Sequence, residues 1–270
     1  MCEDCGCGIV EGYKVETLVK GIKKSSGHSG QEHGHEHGHE HAHSHQQAHS
    51  HGAQTINLLN PILARNDRLA ERNRGFLKAK GLVAVNLLSS PGSGKTTLLE
   101  KTLGSLPDEL APVVINGDLA TDNDAERLHA SGVPVSQITT GNVCHLDAEM
   151  IAKSLEQLPL EGRGLLFIEN VGNLVCPASY DLGEDKKVVL FSVTEGEDKP
   201  LKYPPIFHHA DLVIVTKIDL AEAVSFDRSA ALENLHRIAH HSTILELSAK
   251  TGEGMEAWID WLKALKPHPH

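Results

Sequence analysis

The chain has 270 residues, a formal net charge of −11, 40% hydrophobic residues and only 4% aromatic ones. That leaves room for one large or two small domains around a mostly aliphatic core, and the negative balance argues against nucleic acid or an anionic membrane as the main partner. No apolar run approaches the roughly 20 residues of a membrane span, and Met1 to Gly8 has neither the basic nor the apolar segment of a secretion signal. The expectation is a cytoplasmic chain with reduced thiols, whose five cysteines are read as metal ligands before disulfides.

Three of those thiols, Cys2, Cys5 and Cys7, fall in residues 1–8 beside two glycines. The segment is too short for a core, and its backbone can fold around an ion. Three thiolates with a freed Cys2 amine suit square-planar Ni(II), with tetrahedral Zn(II) as the other option. Residues 9–55 read as a disordered linker. Gly27 to Gly52 is a low-complexity run of alternating histidines without apolar periodicity, a spacer that also buffers Ni(II), Zn(II) or Cu(II). Tyr13 to Lys24 is read as a short helix with nothing to anchor it. Asn57 to Lys80 is read as a longer one, with Leu58, Leu59, Ile62, Leu63, Leu69, Phe76 and Leu77 on its packed face.

Residues 56–270 carry the chemistry. Leu82 to Leu99 runs from a β-branched strand through Ser-Ser-Pro-Gly-Ser-Gly into Lys-Thr-Thr and a helix. Strand, phosphate loop and helix in that order make a nucleoside triphosphate site. The backbone amides of Gly92, Ser93, Gly94 and Lys95 face one concavity, with Thr97 at the helix start. Lys95 is placed for the β- and γ-phosphates and Thr96 for Mg²⁺. Ser89 stands where the pattern's first glycine is usual. Asp118 closes the next strand as a Mg²⁺ partner. Glu169 closes the strand from Gly164, the place of a Walker B carboxylate, and Gly172 follows to sense the γ-phosphate. Cys144, His145 and Cys176 lie past the ends of two strands, a plausible three-ligand set for Zn(II) or Ni(II) beside the nucleotide edge.

Thr216-Lys217-x-Asp219 ends a further buried strand. Asp219 accepts from guanine N1–H and the exocyclic amine together, bonds worth about 1.5–3 kcal/mol each. Adenine has no such donor pair. Thr216 stands where Asn is usual, shortening one supporting contact. Ser248, Ala249 and Lys250 fit a loop whose amide reads guanine O6. In this order the motifs favour GTP/GDP over ATP. The fold expected is an α/β P-loop NTPase, a G domain with a mostly parallel central sheet flanked by helices. No glutamine or arginine finger stands out, so slow intrinsic turnover is expected.

The motifs Cys-x-x-Cys-Gly-Cys, the His-rich insert, Ser-Ser-Pro-Gly-Ser-Gly-Lys-Thr-Thr, Asn-Val-Cys-His-Leu-Asp, Ile-Glu-Asn-Val-Gly-Asn-Leu-Val-Cys-Pro and Thr-Lys-x-Asp together resemble the hydrogenase nickel-incorporation GTPases, the HypB accessory proteins. The resemblance covers nearly the whole chain. It implies nickel delivery to [NiFe]-hydrogenase with GTP hydrolysis as the switch, and a homodimer promoted by GTP. It also implies partnership with a companion zinc-containing accessory protein and the hydrogenase large subunit. By it, Cys2, Cys5 and Cys7 match the N-terminal nickel motif, and Cys144, His145 and Cys176 the metal site of the GTPase domain. A metal store with a vestigial nucleotide site, a urease-type insertion GTPase and a small-molecule kinase are the competing readings.

Overall fold

A computed structural model describes residues 12–19, 22–27, 51–119 and 123–265. Cys2, Cys5, Cys7 and His-rich residues 28–50 lie outside the described residues. Nine strands form one sheet: β1 (Lys14–Val19), β2 (Ile22–Gly27), β3 (Val83–Ser89), β4 (Val113–Asp118), β5 (Val135–Thr139), β6 (Leu165–Glu169), β7 (Lys186–Ser192), β8 (Leu212–Thr216) and β9 (Thr243–Leu247). Their spatial order is β2-β1-β5-β4-β6-β3-β7-β8-β9. β3 to β9 pair in parallel, while β1 runs antiparallel to both β2 and β5.

The buried strands owe their continuous apolar character to helices on both faces. Along β3, Val83, Val85 and Leu87 meet α2 (Lys95–Leu103), α3 (Asn123–His129) and α8 (Met255–Ala264). The alternate residue Ala84 turns to the other face, packed with α1 (His51–Ala79) and α4 (Ala148–Gln157). Val213 and Val215 of β8 pack toward α6 (Pro204–His208), which follows the one-turn α5 (Lys199–Lys202), and toward α7 (Arg228–Ile238).

Two expectations are corrected. Tyr13 to Lys24 is not helical: Lys14–Val19 pairs with Val135–Thr139 and lies within the expected linker. Val15 and Thr17 alternate inward, a period of two that a helix cannot satisfy, and bury on the sheet. In α1 the buried stripe is Asn66, Ala70, Asn73 and Leu77, whereas Phe76 is 40% exposed. Asparagine amides anchor this helix. Asn66 Nδ2 donates to the Asp181 carbonyl at 2.8 Å and its Oδ1 accepts from Ala148 N at 2.9 Å. Asn73 Nδ2 reaches the carbonyls of Ala148 (2.8 Å) and Leu182 (3.1 Å). An apolar count misses a helix held by amide bonds.

Candidate functional site

The parallel strands β3, β4 and β6 end at one edge, where a cleft of about 450 Å³ opens. Gly92 and Gly94 adopt positive φ (74° and 98°), and Gly94 caps α2, so the turn before Lys95 is a cradle of backbone amides at a helix start. Lys95 is buried, and its Nζ donates to Ser89 Oγ at 2.8 Å. Burial lowers the Lys95 ammonium from its usual value, while Glu169, Asp124, Glu195 and Asp118 oppose that fall. The serine replacing the usual glycine thus holds the lysine.

At the helix start Thr96 Oγ1 lies 2.6 Å from Glu169 Oε1 and 2.9 Å from Asp124 Oδ2. Its single proton serves one carboxylate at a time. A hydroxyl between two carboxylates is the hard oxygen donor set that Mg²⁺ takes, so these residues fit the ion. Burial pushes the Glu169 carboxyl up to about 7, against the pull of Lys95 and Thr96. Asn116 Nδ2 donates to its other oxygen at 3.2 Å. Asp118 also lines the cleft, and its Oδ1 accepts from Leu119 N at 2.6 Å. Asp124, rather than Asp118, meets Thr96. The arginine in the cleft lining, Arg127, is bound to Glu100 at 2.7 Å and Asp124 at 3.2 Å. Gly172 also lines the cleft, and a Cβ there would stand 2.9 Å from Pro91 Cα, so only glycine lets this segment lie against the phosphate loop.

A second cavity of about 230 Å³ adjoins the first and shares Gly94, Thr97 and Lys217 with it. Ser93, Thr216, Asp219, Ser248, Ala249 and Lys250 line it too. Lys217 adopts φ +58°, rare for a side-chain-bearing residue, and its Nζ donates to Gly92 O at 2.6 Å. Thr216 Oγ1 donates to Ser93 O at 2.9 Å, so the tie expected of asparagine is made by threonine. Buried Ser248 donates to Asp219 Oδ1 at 2.6 Å and fixes that carboxylate in the cavity wall.

Cys144 and Cys176 bring their sulfurs to 3.3 Å, and the ligand atoms of Cys144, His145 and Cys176 all lie within 4.8 Å of one another. His145 is buried and stacks on Tyr180 at 4.0 Å. Burial pushes its imidazole down to about 4, so the ring is neutral at physiological pH, and its Nδ1 is buried with no hydrogen-bond partner. Two sulfurs, a neutral imidazole and an orphaned ring nitrogen fit a soft or borderline divalent ion. Asn170 follows Glu169 directly. Its Oδ1 accepts from Leu146 N at 3.2 Å and Val171 N at 2.9 Å. Asn173 Nδ2 donates to the Cys144 carbonyl at 3.3 Å. These two amides join the loop before α4 to the loop after β6. Sequence reasoning missed Asp124, Arg127 and the work of Asn170. The acidic run after Asp118 was the available signal for Asp124, and nothing in the sequence singled out the other two.

A family model described as the CobW/HypB/UreG nucleotide-binding domain matches residues 83–246. The hydrogenase maturation factor HypB of Escherichia coli K12 is 52% identical over 202 residues, which is 75% of this chain and 70% of that protein. The crystal structure of HypB from Helicobacter pylori in complex with nickel has a TM-score of 0.71 at 43% identity, covering 74% of this chain and 94% of that one. HypB from Archaeoglobus fulgidus has a TM-score of 0.70 at 44% identity, covering 74% and 98%. With its cradle of backbone amides, oxygen donors and cysteine pair placed as described, the chain belongs to the CobW/HypB/UreG family and, within it, to the HypB hydrogenase maturation factors.

Proposed function

We propose that this chain is a GTP-hydrolysing metallochaperone that delivers nickel for [NiFe]-hydrogenase maturation. Guanine occupies the smaller cavity, with Asp219 accepting from its N1–H and amine and Ser248 holding that carboxylate in line. The phosphates lie on the amides of Gly92 to Lys95. Lys95 leaves Ser89 for the β- and γ-oxygens, and its charge, with the loop amides, stabilises what builds as water attacks. Thr96, Asp124 and Glu169 would hold Mg²⁺, which when bound would supply positive charge against the phosphates. Arg127 is committed to Glu100 and Asp124, so among the described residues that line the cleft no arginine stands free to act as a finger, and intrinsic turnover is slow.

One observation carries the link to metal: the segment from Glu169 to Cys176 touches both sites, resting Gly172 on Pro91 and tying Asn170 and Asn173 to the Cys144 loop. A γ-phosphate that shifts Gly172 therefore shifts a thiolate, and nucleotide state alters metal affinity. Nickel taken up at Cys2, Cys5 and Cys7 is cargo, as is Ni(II) or Zn(II) at Cys144, His145 and Cys176. The working unit is a GTP-promoted homodimer that meets a companion accessory protein and the hydrogenase large subunit. The test is equilibrium Ni and Zn titration of apo, GDP-bound and GTP-analogue-bound protein, with Cys2→Ala and Cys176→Ala controls. Affinity at the Cys176 site is expected to change between GDP and the analogue. Equal affinities and equal subunit pairing in both states would reject the reading in favour of a metal store with an idle nucleotide site.

A further inference from the structure

Four histidines outside both clusters meet at the opposite end of the sheet. His208 ends α6 and His209 follows it, while His240 and His241 lie between α7 and β9. Strands β8 and β9 are parallel and start here, so this group stands a strand's length from the nucleotide edge. All four side chains are exposed.

Their spacing approaches that of ligands around one ion. Ring centroids are 5.3 Å apart for His240–His241, 5.5 Å for His208–His241 and 6.3 Å for His208–His240. With metal–nitrogen bonds of about 2.0–2.1 Å, each ring centre sits roughly 3 Å from the ion and tetrahedral neighbours roughly 5 Å from each other. His208 Nδ1 lies 3.3 Å from the Ile238 carbonyl. A nitrogen facing a carbonyl carries the proton, which leaves Nε2 with the lone pair, the arrangement that orients a ligating imidazole. Among the described residues only Cys144, His145 and Cys176 already have their ligand atoms within 4.8 Å of one another. The histidine group closes by turning exposed rings about χ1 and χ2, a rearrangement that breaks no packing because all four side chains face solvent. His209 centres 5.4 Å from His208 but feels the Lys187 charge, which makes it the flanking member.

We propose that His208, His240 and His241 form a three-imidazole site for a divalent first-row metal ion of the Ni²⁺ or Zn²⁺ type. An all-nitrogen, solvent-facing set holds such an ion exchangeably and independently of nucleotide, unlike the two-thiolate site across the sheet. The test maps histidine carbethoxylation, peptide by peptide, on the full chain with Ni²⁺ alone or Zn²⁺ alone, so that these residues are read apart from the His-rich run. At metal ten times the midpoint concentration, His208, His240 and His241 should react about tenfold more slowly by mass action, with one shared midpoint. His129 should keep its rate. His208→Ala should abolish protection of His240 and His241, whereas Cys144→Ser with Cys176→Ser, and added GDP, should leave it intact. Absence of protection, separate midpoints for the three rings, or survival of His240 and His241 protection in His208→Ala would each overturn the proposal.

Discussion

The lysine-and-carboxylate end and the cysteine end of this site are built on different principles. Ser89, Glu169 and Thr216 are the last residues of strands β3, β6 and β8, and Thr96 opens a helix, so the oxygen donors inherit the rigidity of the sheet. They also bond to one another, as Lys95 to Ser89, Thr96 to Glu169 and Thr216 to the phosphate loop. Cys144 lies on a loop and Cys176 opens a short 3-10 turn, Cys176–Ser179, and side-chain amides hold the two segments together. In the proposed function, a stiff set of oxygen donors beside a compliant pair of sulfurs would let the first act on the second without being deformed by it.

The sharpest way to break that contrast is Lys95→Ala. GTP turnover, read as phosphate release, should fall by about 10²–10³-fold, the scale of losing one preorganised charge partner in the transition state. Nickel binding at Cys2, Cys5 and Cys7, read by titration, should persist, and loss of both would show that the N-terminal thiols and the nucleotide cleft are not separable. Asp219→Asn comes next. An amide presents a donor beside an acceptor, so it matches the N1–H and C2 carbonyl of xanthine. GTP affinity should drop about 100-fold, the loss of two charge-assisted bonds, with XTP gaining correspondingly.

A pH series sharpens the comparison further. Below about pH 7 Glu169 takes up a proton that competes with Mg²⁺, so Mg²⁺-dependent nucleotide affinity should fall by up to about tenfold per pH unit. Glu169→Gln should flatten that slope, and a slope that survives would assign it elsewhere. The His145 ring, held down at about 4, stays neutral from pH 5 to 8 and should add no such slope to metal binding across the sulfurs. The same depression makes a stability statement. The unfolded ring, with its ordinary value near 6.5, binds the proton more readily, so this contribution is present above pH 6.5 and is lost as pH falls toward 4. The smallest effect belongs to Asn170→Ala. Either ion should still bind, but the ratio of metal affinities in GDP and GTP-analogue states should shrink by about three- to tenfold, within the roughly 0.5–2 kcal/mol by which one residue of a coupling network modulates it. An unchanged ratio would mean that the amide bridge does not carry the coupling.

The strands and the phosphate loop were legible because their signals are local: β-branched runs, glycines at a turn and a Lys-Thr pair need only a few neighbouring residues. The same holds for Asp219 and Ser248, although their 2.6 Å bond joins residues 29 positions apart. The β1–β2 hairpin was read as a helix because Thr17 and Val15 are defined by a partner strand some 120 residues away. The α1 anchors escaped because asparagine on a buried stripe reads as polar until its acceptors are known. Asp124 fell inside a run of acids in which only the fold selects the one facing Thr96.

The antiparallel hairpin also sets a leash. Its register puts Lys14 opposite Thr139, the end of β5 that leads on to Cys144. Cys7 stands seven positions before Lys14, and at no more than about 3.5 Å per position that stretch spans at most roughly 25 Å. Any meeting of a Cys7 thiol so tethered with the Cys144 site of its own chain would therefore be governed by the length of that tether, at a rate indifferent to dilution.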